Sequence, residues 1–494
     1  MIVNGRMLKP GVVLDYDLCI IGSGPAGITL ALELAQTRKR ICVLEAGDES
    51  VGKVGLEEFF SGDNVGLDYK LTECRSRRLG GTSDIWAGYV AMLDPNDFVE
   101  KAGLPRSGWP ISYDSLRPYY ERAYKLLGGT SCEFDPEKLS RPQYERIRFA
   151  FDEITSKIWH FNPLNFAKQF SRILKKSEII DVYINSTVIR IVPGPCGDRI
   201  SHLVVASGVN RFFTVRARLF VLACGALENA RFLLAQRRVV PDVFRNRHIG
   251  LYFMEHPAYM KCAHVLLSGP HANSKLYHMP DPKQFLREIP VCAFFQIGSP
   301  LRDKLRLPNA AFNLNRPIIP IQLRERVSLT LRNLYGREEQ AERLARILVI
   351  SEQYPNASSR VTLSDANDPF GIPKIRLDWQ LADEEVKKIL LSLRTLGMKL
   401  GQNGLGRLQF SEWVLGEKAI EHVHYSWHQM GTTRMARTAD DGVVDTNCRM
   451  FGLENAYIAG SSVFPTSGCA NPTFTILALT IRLADHLKTN KEMA

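Results

Sequence analysis

The stretch DYDLCIIGSGPAGITLALELAQTRKRICVLEAG, residues 15–47, restricts the fold of this chain more than any other. LCIIG is an unbroken apolar run of strand length, as expected of a strand buried on both faces. Gly22, Gly24 and Gly27 then fill the pattern G-x-G-x-x-G, ITLALELA follows with helical character, and ICVLE returns as a second strand. Each glycine has its own reason: Gly22 for the tight turn, Gly24 for close approach of backbone to a pyrophosphate, Gly27 for close packing of helix on strand. Glu45 ends the second strand, 18 residues beyond Gly27, where a carboxylate accepts hydrogen bonds from a ribose diol. The acid favours an unphosphorylated ribose, that of FAD or NAD, and spacing alone does not choose between them.

At 494 residues the chain exceeds what one core organises, so at least two structural units are expected. Hydrophobic residues at 45% and charged residues at 23% are ordinary for a globular protein and exclude a disordered one. The longest apolar runs, such as LFVLACGAL and FTILALTI, fall well short of the roughly 20 residues that span a bilayer, so no transmembrane segment is expected. MIVNGRMLKPGVVLDYDLCIIG has no basic segment leading into an apolar stretch and a cleavage site, which makes the cytoplasm the expected compartment. The 10 cysteines show neither a CxxC pair nor metal-ligand spacing; they read as reduced packing residues, and no metal is expected. The formal charge of +11 comes from dispersed clusters such as RKR and RSRR, without a recognition helix, zinc or RNP pattern, so a solvated basic surface is expected and not nucleic-acid binding.

Further motifs narrow the cofactor. RRLGGTSDIWAG at 77–88 places a Gly-Gly turn and small hydroxyl residues where a second loop can approach a flat cofactor. VLACGALENARFLLA at 221–235 reads as a buried strand, a Cys-Gly-Ala turn and a helix. With HYSWHQMGTTRM at 424–435 and PTSGCANPTFT at 465–475, these resemble the glucose-methanol-choline (GMC) oxidoreductases, flavoproteins that oxidise alcohols. The likeness runs from the first strand to the last helix and is weakest between about 266 and 345. WPISYDSLRPYYERA, HIGLYFMEHP and SSRVTLSDANDPFGIPKIRLDW look most like the branch of pyranose oxidases and sugar 3-dehydrogenases. In pyranose oxidases the loop matching GGTSDIW carries a histidine bonded to the flavin; Ile85 stands here and cannot make that bond, so noncovalent FAD is expected.

The resemblance implies that His428 and Asn471 form a pair beside the flavin, His428 taking the hydroxyl proton while the carbinol hydrogen leaves as hydride for flavin N5. An imidazole suits that proton exchange, and an amide can orient the hydroxyl but not take its proton. His422 and His424 read as surface or packing residues, and His256, in MEHP, as a structural residue or one behind the site. The resemblance also assigns FAD contacts to Gly22, Gly24, Pro25, Ala26, Gly27, Glu45, Ala46, Arg78, Gly80, Gly81, Thr82, Ser83, Val188 near the adenine, Ala223, Gly225, Gly460, Ser461, Asn471, Pro472 and Thr473. Pro472 fits the first position of an apolar helix whose N-terminus, if aimed at the flavin pyrimidine edge, favours the charge that gathers there on reduction. Asn471 is then also a good N-cap, a competing use of its side chain. Gln353 and Tyr354, in SEQYPNASSR, are candidate substrate contacts beside His428 and Asn471.

The expected architecture is α/β: a Rossmann-like FAD-binding domain assembled from 1–110, 165–265 and 425–494, the last carrying the catalytic loops. An interleaved α+β substrate domain, built on a β-sheet, takes 111–164 and 266–424. YINSTVIRIVPG, ISHLVVASG and RFFTVRARLFVLA alternate as a β-meander, and 323–350 reads as a basic helix with a solvated face. The expected activity is oxidation of a secondary hydroxyl of a sugar or glycoside to a ketone, with molecular oxygen or a carrier as electron acceptor. A non-sugar alcohol of a biosynthetic pathway is the alternative, and a redox-inactive flavin-binding module a third reading.

Overall fold

The computed structural model describes residues 1–49, 56–139, 146–268, 274–278, 290–315, 344–416 and 419–493. Strand Val13–Ile21 lies at the middle of the first sheet, between Ile41–Leu44 and Arg211–Leu222 and parallel to both. Beyond Ile41–Leu44 lie Ile180–Ile184 and then Ile2–Asn4, each parallel to its neighbour. The other side continues as an antiparallel meander through Ile200–Gly208 to Thr187–Pro193. Leu18, Cys19, Ile20, Ile41, Cys42, Val43 and Leu44 are at most 1% exposed, as a strand covered on both faces requires. Helix Pro25–Leu34 and the closing helix Pro472–Lys488 belong to the same hydrophobic core.

A second sheet of 7 strands runs Gly406–Phe410, Ala258–Leu267, Leu344–Ser351, Ala310–Asn315, Val291–Ile297, Ile154–Phe161 and Tyr89–Val90. A 3-stranded sheet, Arg360–Asn367, Pro373–Asp378 and Gly62–Asn64, stands beside helix Gly225–Val239, which Arg231 ties to it through Asp368 (2.5 Å). Helix Asp383–Gln402 shares the second hydrophobic core with the large sheet.

Two stretches expected in the FAD-binding domain contribute strands to the second sheet: position 265 falls inside Ala258–Leu267, and Tyr89–Val90, within 1–110, pairs with Ile154–Phe161 while packing in the first core. Ladder partners are set by distant chain, which local composition does not report. The helix read over 323–350 is corrected at its end, where Leu344–Ser351 is a strand of alternating burial, paired on both edges; 323–343 lies outside the described residues. Among the described residues no helix is long and apolar enough to cross a membrane, and no group of His, Cys, Asp or Glu is arranged to hold a metal ion.

Candidate active site

A cavity of about 420 Å³ runs from the carboxyl end of the first sheet to the loops before the last helix. Three helix N-termini open onto it: Pro25–Leu34, Gly225–Val239 and Pro472–Lys488. Their unpaired N–H groups and aligned dipoles favour negative charge in the cavity.

At one end Glu45 accepts hydrogen bonds from Ser23 N (3.1 Å), Ser23 Oγ (2.6 Å) and Gly47 N (2.8 Å). Burial raises its carboxyl above the usual range, and these donors oppose the rise. A Cβ added at Gly27 would lie 1.9 Å from the carbonyl oxygen of Gly22, so helix and strand approach this closely only with glycine there. Gly24, Gly225 and Gly460 line the cavity with nothing within 4 Å of an added Cβ. That is a cradle of bare backbone beside three helix N-termini and a ribose-type carboxylate, and FAD fits it.

Pro25, Ala26, Ala46, Gly81, Thr82, Ser83, Val188, Ala223, Ser461, Pro472 and Thr473 also line the cavity, with Gly22 and Glu45. Three assigned residues do not. Gly27 packs behind the turn, and Gly80 docks the GGTS loop on the glycine loop by donating to Ser23 O (3.1 Å). Arg78 turns to Asp84 (2.6 Å) and the carbonyl of Glu49, while its neighbour Arg77 takes the place on the wall. Phe59 lines the cavity from outside every motif, and Arg77, Trp86 and Trp427 line it from within RRLGGTSDIWAG and HYSWHQMGTTRM, at positions to which the sequence assigned no contact.

At the other end His428 Nε2 and Asn471 Nδ2 are 2.9 Å apart. Behind them, Trp159 Nε1 donates to Asn471 Oδ1 (3.0 Å), His428 Nδ1 faces His256 Nδ1 (2.9 Å), and His256 Nε2 faces the carbonyl of Ser467 (3.3 Å). This row fixes the protons. An indole N–H only donates, so Asn471 turns its oxygen to Trp159 and its NH₂ to His428 Nε2. A carbonyl only accepts, so His256 carries its proton on Nε2 and offers Nδ1 as acceptor. Both ends give one answer: His428 is protonated on Nδ1, and its Nε2 lone pair accepts from Asn471 Nδ2. Burial first, then His256, hold His428 well below the ordinary imidazole value, and burial holds His256 at about 4. Both rings are therefore neutral at pH 7.

Asn471 occupies the N-cap position of the last helix, yet its side chain makes no cap bond, because Trp159 and His428 occupy both ends of its amide. The loop carrying His428 is stitched to the AGSS turn by Gly431 N to Ser461 O (3.1 Å) and Ser461 Oγ to Gln429 O (2.6 Å). The PTSG turn is pinned by Trp109 Nε1 to Thr466 Oγ1 (2.7 Å) and Thr466 Oγ1 to Asp97 O (3.0 Å). Gln353 does not reach the cavity. Fully enclosed, it accepts from Trp379 Nε1 (2.9 Å) and Glu255 N (3.0 Å) and donates to Gln380 O (2.9 Å). Tyr354 is outside the cavity wall as well, with the Lys101 ammonium 5.5 Å from its ring centre. His422 stacks on Trp413 (4.5 Å) and His424 pairs its backbone with Ala258, both away from the pair.

Residues 17–259 match the family of FAD dependent oxidoreductases and residues 355–480 that of GMC oxidoreductases. The 2-methyl-1,2-propanediol dehydrogenase of Mycolicibacterium austroafricanum is 22% identical over 95% of both chains. A C-glycoside 3-oxidase of Microbacterium trichothecenolyticum is 32% identical over 26% of this chain and 24% of its own. The formate oxidase of Aspergillus oryzae shares the fold, with a TM-score of 0.60 at 17% identity, over 99% of this chain and 100% of that one. The glycine cradle with its ribose-type acid and the two family matches agree: this chain is an FAD-dependent oxidoreductase of the GMC family, an enzyme that oxidises alcohols.

Proposed function

We propose that the enzyme oxidises a secondary hydroxyl of a sugar or glycoside to a ketone, with His428 as the base and Asn471 as the group that orients the hydroxyl. The observation that carries this reading is the single proton order along Trp159, Asn471, His428 and His256. It leaves His428 Nε2 unprotonated, so a substrate O–H that displaces the Asn471 N–H from that nitrogen donates to its lone pair. FAD, when bound, supplies the acceptor for the carbinol hydrogen and its electron pair. A hydroxyl at the pair donates to His428 Nε2 and accepts from Asn471 Nδ2, which holds the oxygen still while its proton moves. As the proton arrives on Nε2, His428 keeps its Nδ1–H on His256, so the imidazolium stays hydrogen-bonded on both nitrogens. The cofactor is held without a covalent bond at position 85: Ile85 lines the cavity and has no nucleophilic atom.

The likeness to a C-glycoside 3-oxidase supports a sugar substrate. The likeness to a small-diol dehydrogenase along nearly the whole chain supports a second reading, oxidation of a non-sugar alcohol. Anaerobic bleaching of the holoenzyme with methyl β-D-glucopyranoside, other pyranosides and 2-methyl-1,2-propanediol separates them. A sugar oxidoreductase is bleached by a pyranoside at lower concentration than by the diol, and the reverse order rejects the sugar reading. Readmitting air then distinguishes oxygen from a carrier as acceptor.

A further inference from the structure

Trp427 stands in a conformation its residue type disfavours. Its φ is +59°, in the left-handed region that glycine and asparagine tolerate and a bulky aromatic rarely enters. The segment on either side is fixed. Ser426 N donates to Glu255 Oε2 (3.1 Å), Ser426 Oγ donates to His256 O (2.8 Å), and His428 is held by His256 and Asn471. In extended chain, neighbouring side chains point to opposite faces; the kink at Trp427 lets the indole and the His428 imidazole line the same cavity. The indole remains 40% exposed there, although a Trp side chain is ordinarily well covered. It stacks on Tyr425 (centroids 5.9 Å apart, planes at 20°), Tyr425 leans on Tyr69 (4.9 Å), and the Tyr69 hydroxyl donates to the buried Glu255 carboxylate (2.7 Å). A disfavoured backbone holds a rigid, braced and partly uncovered aromatic face next to the base. Strain of this kind persists where surrounding structure over-determines it, and it gathers at functional sites.

We propose that Trp427 is the ring platform of the substrate site, its indole lying against the C–H face of a pyranose while His428 takes the proton of one ring hydroxyl. This rests on the sugar reading given above. The face of a pyranose is a patch of C–H groups and matches a flat aromatic, whereas a short acyclic diol covers little of one. Ring contact therefore sets the saturating concentration for pyranosides, and the kink sets which hydroxyl reaches Nε2.

The test compares holoenzyme carrying Trp427→Phe, Trp427→Ala and Trp427→Gly by anaerobic flavin reduction with methyl β-D-glucopyranoside and with 2-methyl-1,2-propanediol. Removing the ring raises the half-saturating pyranoside concentration by about tenfold more than that of the diol, the scale of one lost aromatic contact. The limiting reduction rate changes far less, and Phe restores most of the difference. Trp427→Gly melts at or above the wild-type temperature, because glycine relieves the positive φ, so weaker pyranoside binding in that variant is not a folding defect. An unchanged pyranoside constant in the Ala variant overturns the platform alone. Equal losses for both substrates together with FAD release overturn it too, since they place the indole on the cofactor. A wild type that ignores every pyranoside and takes the diol overturns the sugar reading and the platform with it.

Discussion

Asn471→Asp exchanges one NH₂ for one oxygen and leaves the shape of the side chain intact, yet it reverses the polarity of the contact with His428. One carboxylate oxygen still accepts from Trp159 (3.0 Å), and the other stands 2.9 Å from His428 Nε2, where only a protonated nitrogen can satisfy it. At an effective dielectric of about 20, opposite unit charges some 3 Å apart attract by roughly 5 kcal/mol. The burial of the new carboxylate offsets much of that, and a net rise of about 1–3 units in the His428 pKa is the usual outcome. In the wild type, burial and His256 hold that pKa well below 6.5, so the free base is fully present at pH 7 and the reduction rate is flat through neutrality. In the variant the base is protonated up to a higher pH. Each unit by which its pKa exceeds the assay pH removes a factor of about ten from the free-base population. Stopped-flow flavin reduction between pH 5 and 10 therefore gives an acid limb displaced upward by about 1–3 units, with activity returning as pH rises. Asn471→Ala, which removes the amide without adding charge, loses rate without that displacement. Parallel profiles for Asp and wild type, or for Asp and Ala, would refute the proton order.

Three more outcomes follow from the same contacts. His256→Phe strands the His428 Nδ1–H, at a cost of about 1–3 kcal/mol to the reactive tautomer; flavin reduction slows by roughly 10–100-fold, and His256→Gln, whose carbonyl can accept, restores most of it. Gly27→Ala forces a Cβ to 1.9 Å from Gly22 O, so the purified variant has a lower flavin-to-protein absorbance ratio, and heat or acid releases all the flavin of the wild type into solution, as noncovalent binding requires. Burial holds His160 at about 4, against about 6.5 unfolded, so its neutral form supports stability above pH 6.5 and that support fades as pH falls toward 4. Urea unfolding at pH 7 and pH 4.5 then shows an acid loss in the wild type that shrinks by up to about 3 kcal/mol in His160→Gln.

The first βαβ unit was legible because its signals are contiguous: buried runs at Leu18–Ile21 and Ile41–Leu44, glycines at fixed spacing, and an acid at the end of the second strand. FAD could be told from NAD only through resemblance, since both cofactors ask the same of that unit. His428 and Asn471 were found through their motifs, 43 positions apart, not through any local chemistry. Of their supports, His256 was read from MEHP as a structural residue or one behind the site, although it lies 172 positions from His428. Trp159 was out of reach: it lies 312 positions from Asn471, on a strand whose pairing no nearby residue dictates. Gln353 shows the opposite error. A polar residue in a loop reads as solvent- or ligand-facing, but its amide is spent on the indole of Trp379 and the backbone around Glu255. The kink at Trp427 carries no signal in the sequence, because a positive φ at a bulky residue is imposed by the folded surroundings.

The central claim is that His428 receives the hydroxyl proton. Its direct test is anaerobic flavin reduction by the preferred alcohol in His428→Ala, with bound FAD checked by absorbance. The account predicts full FAD content and a reduction rate lower by at least about 100-fold. Full content with a wild-type rate would contradict it.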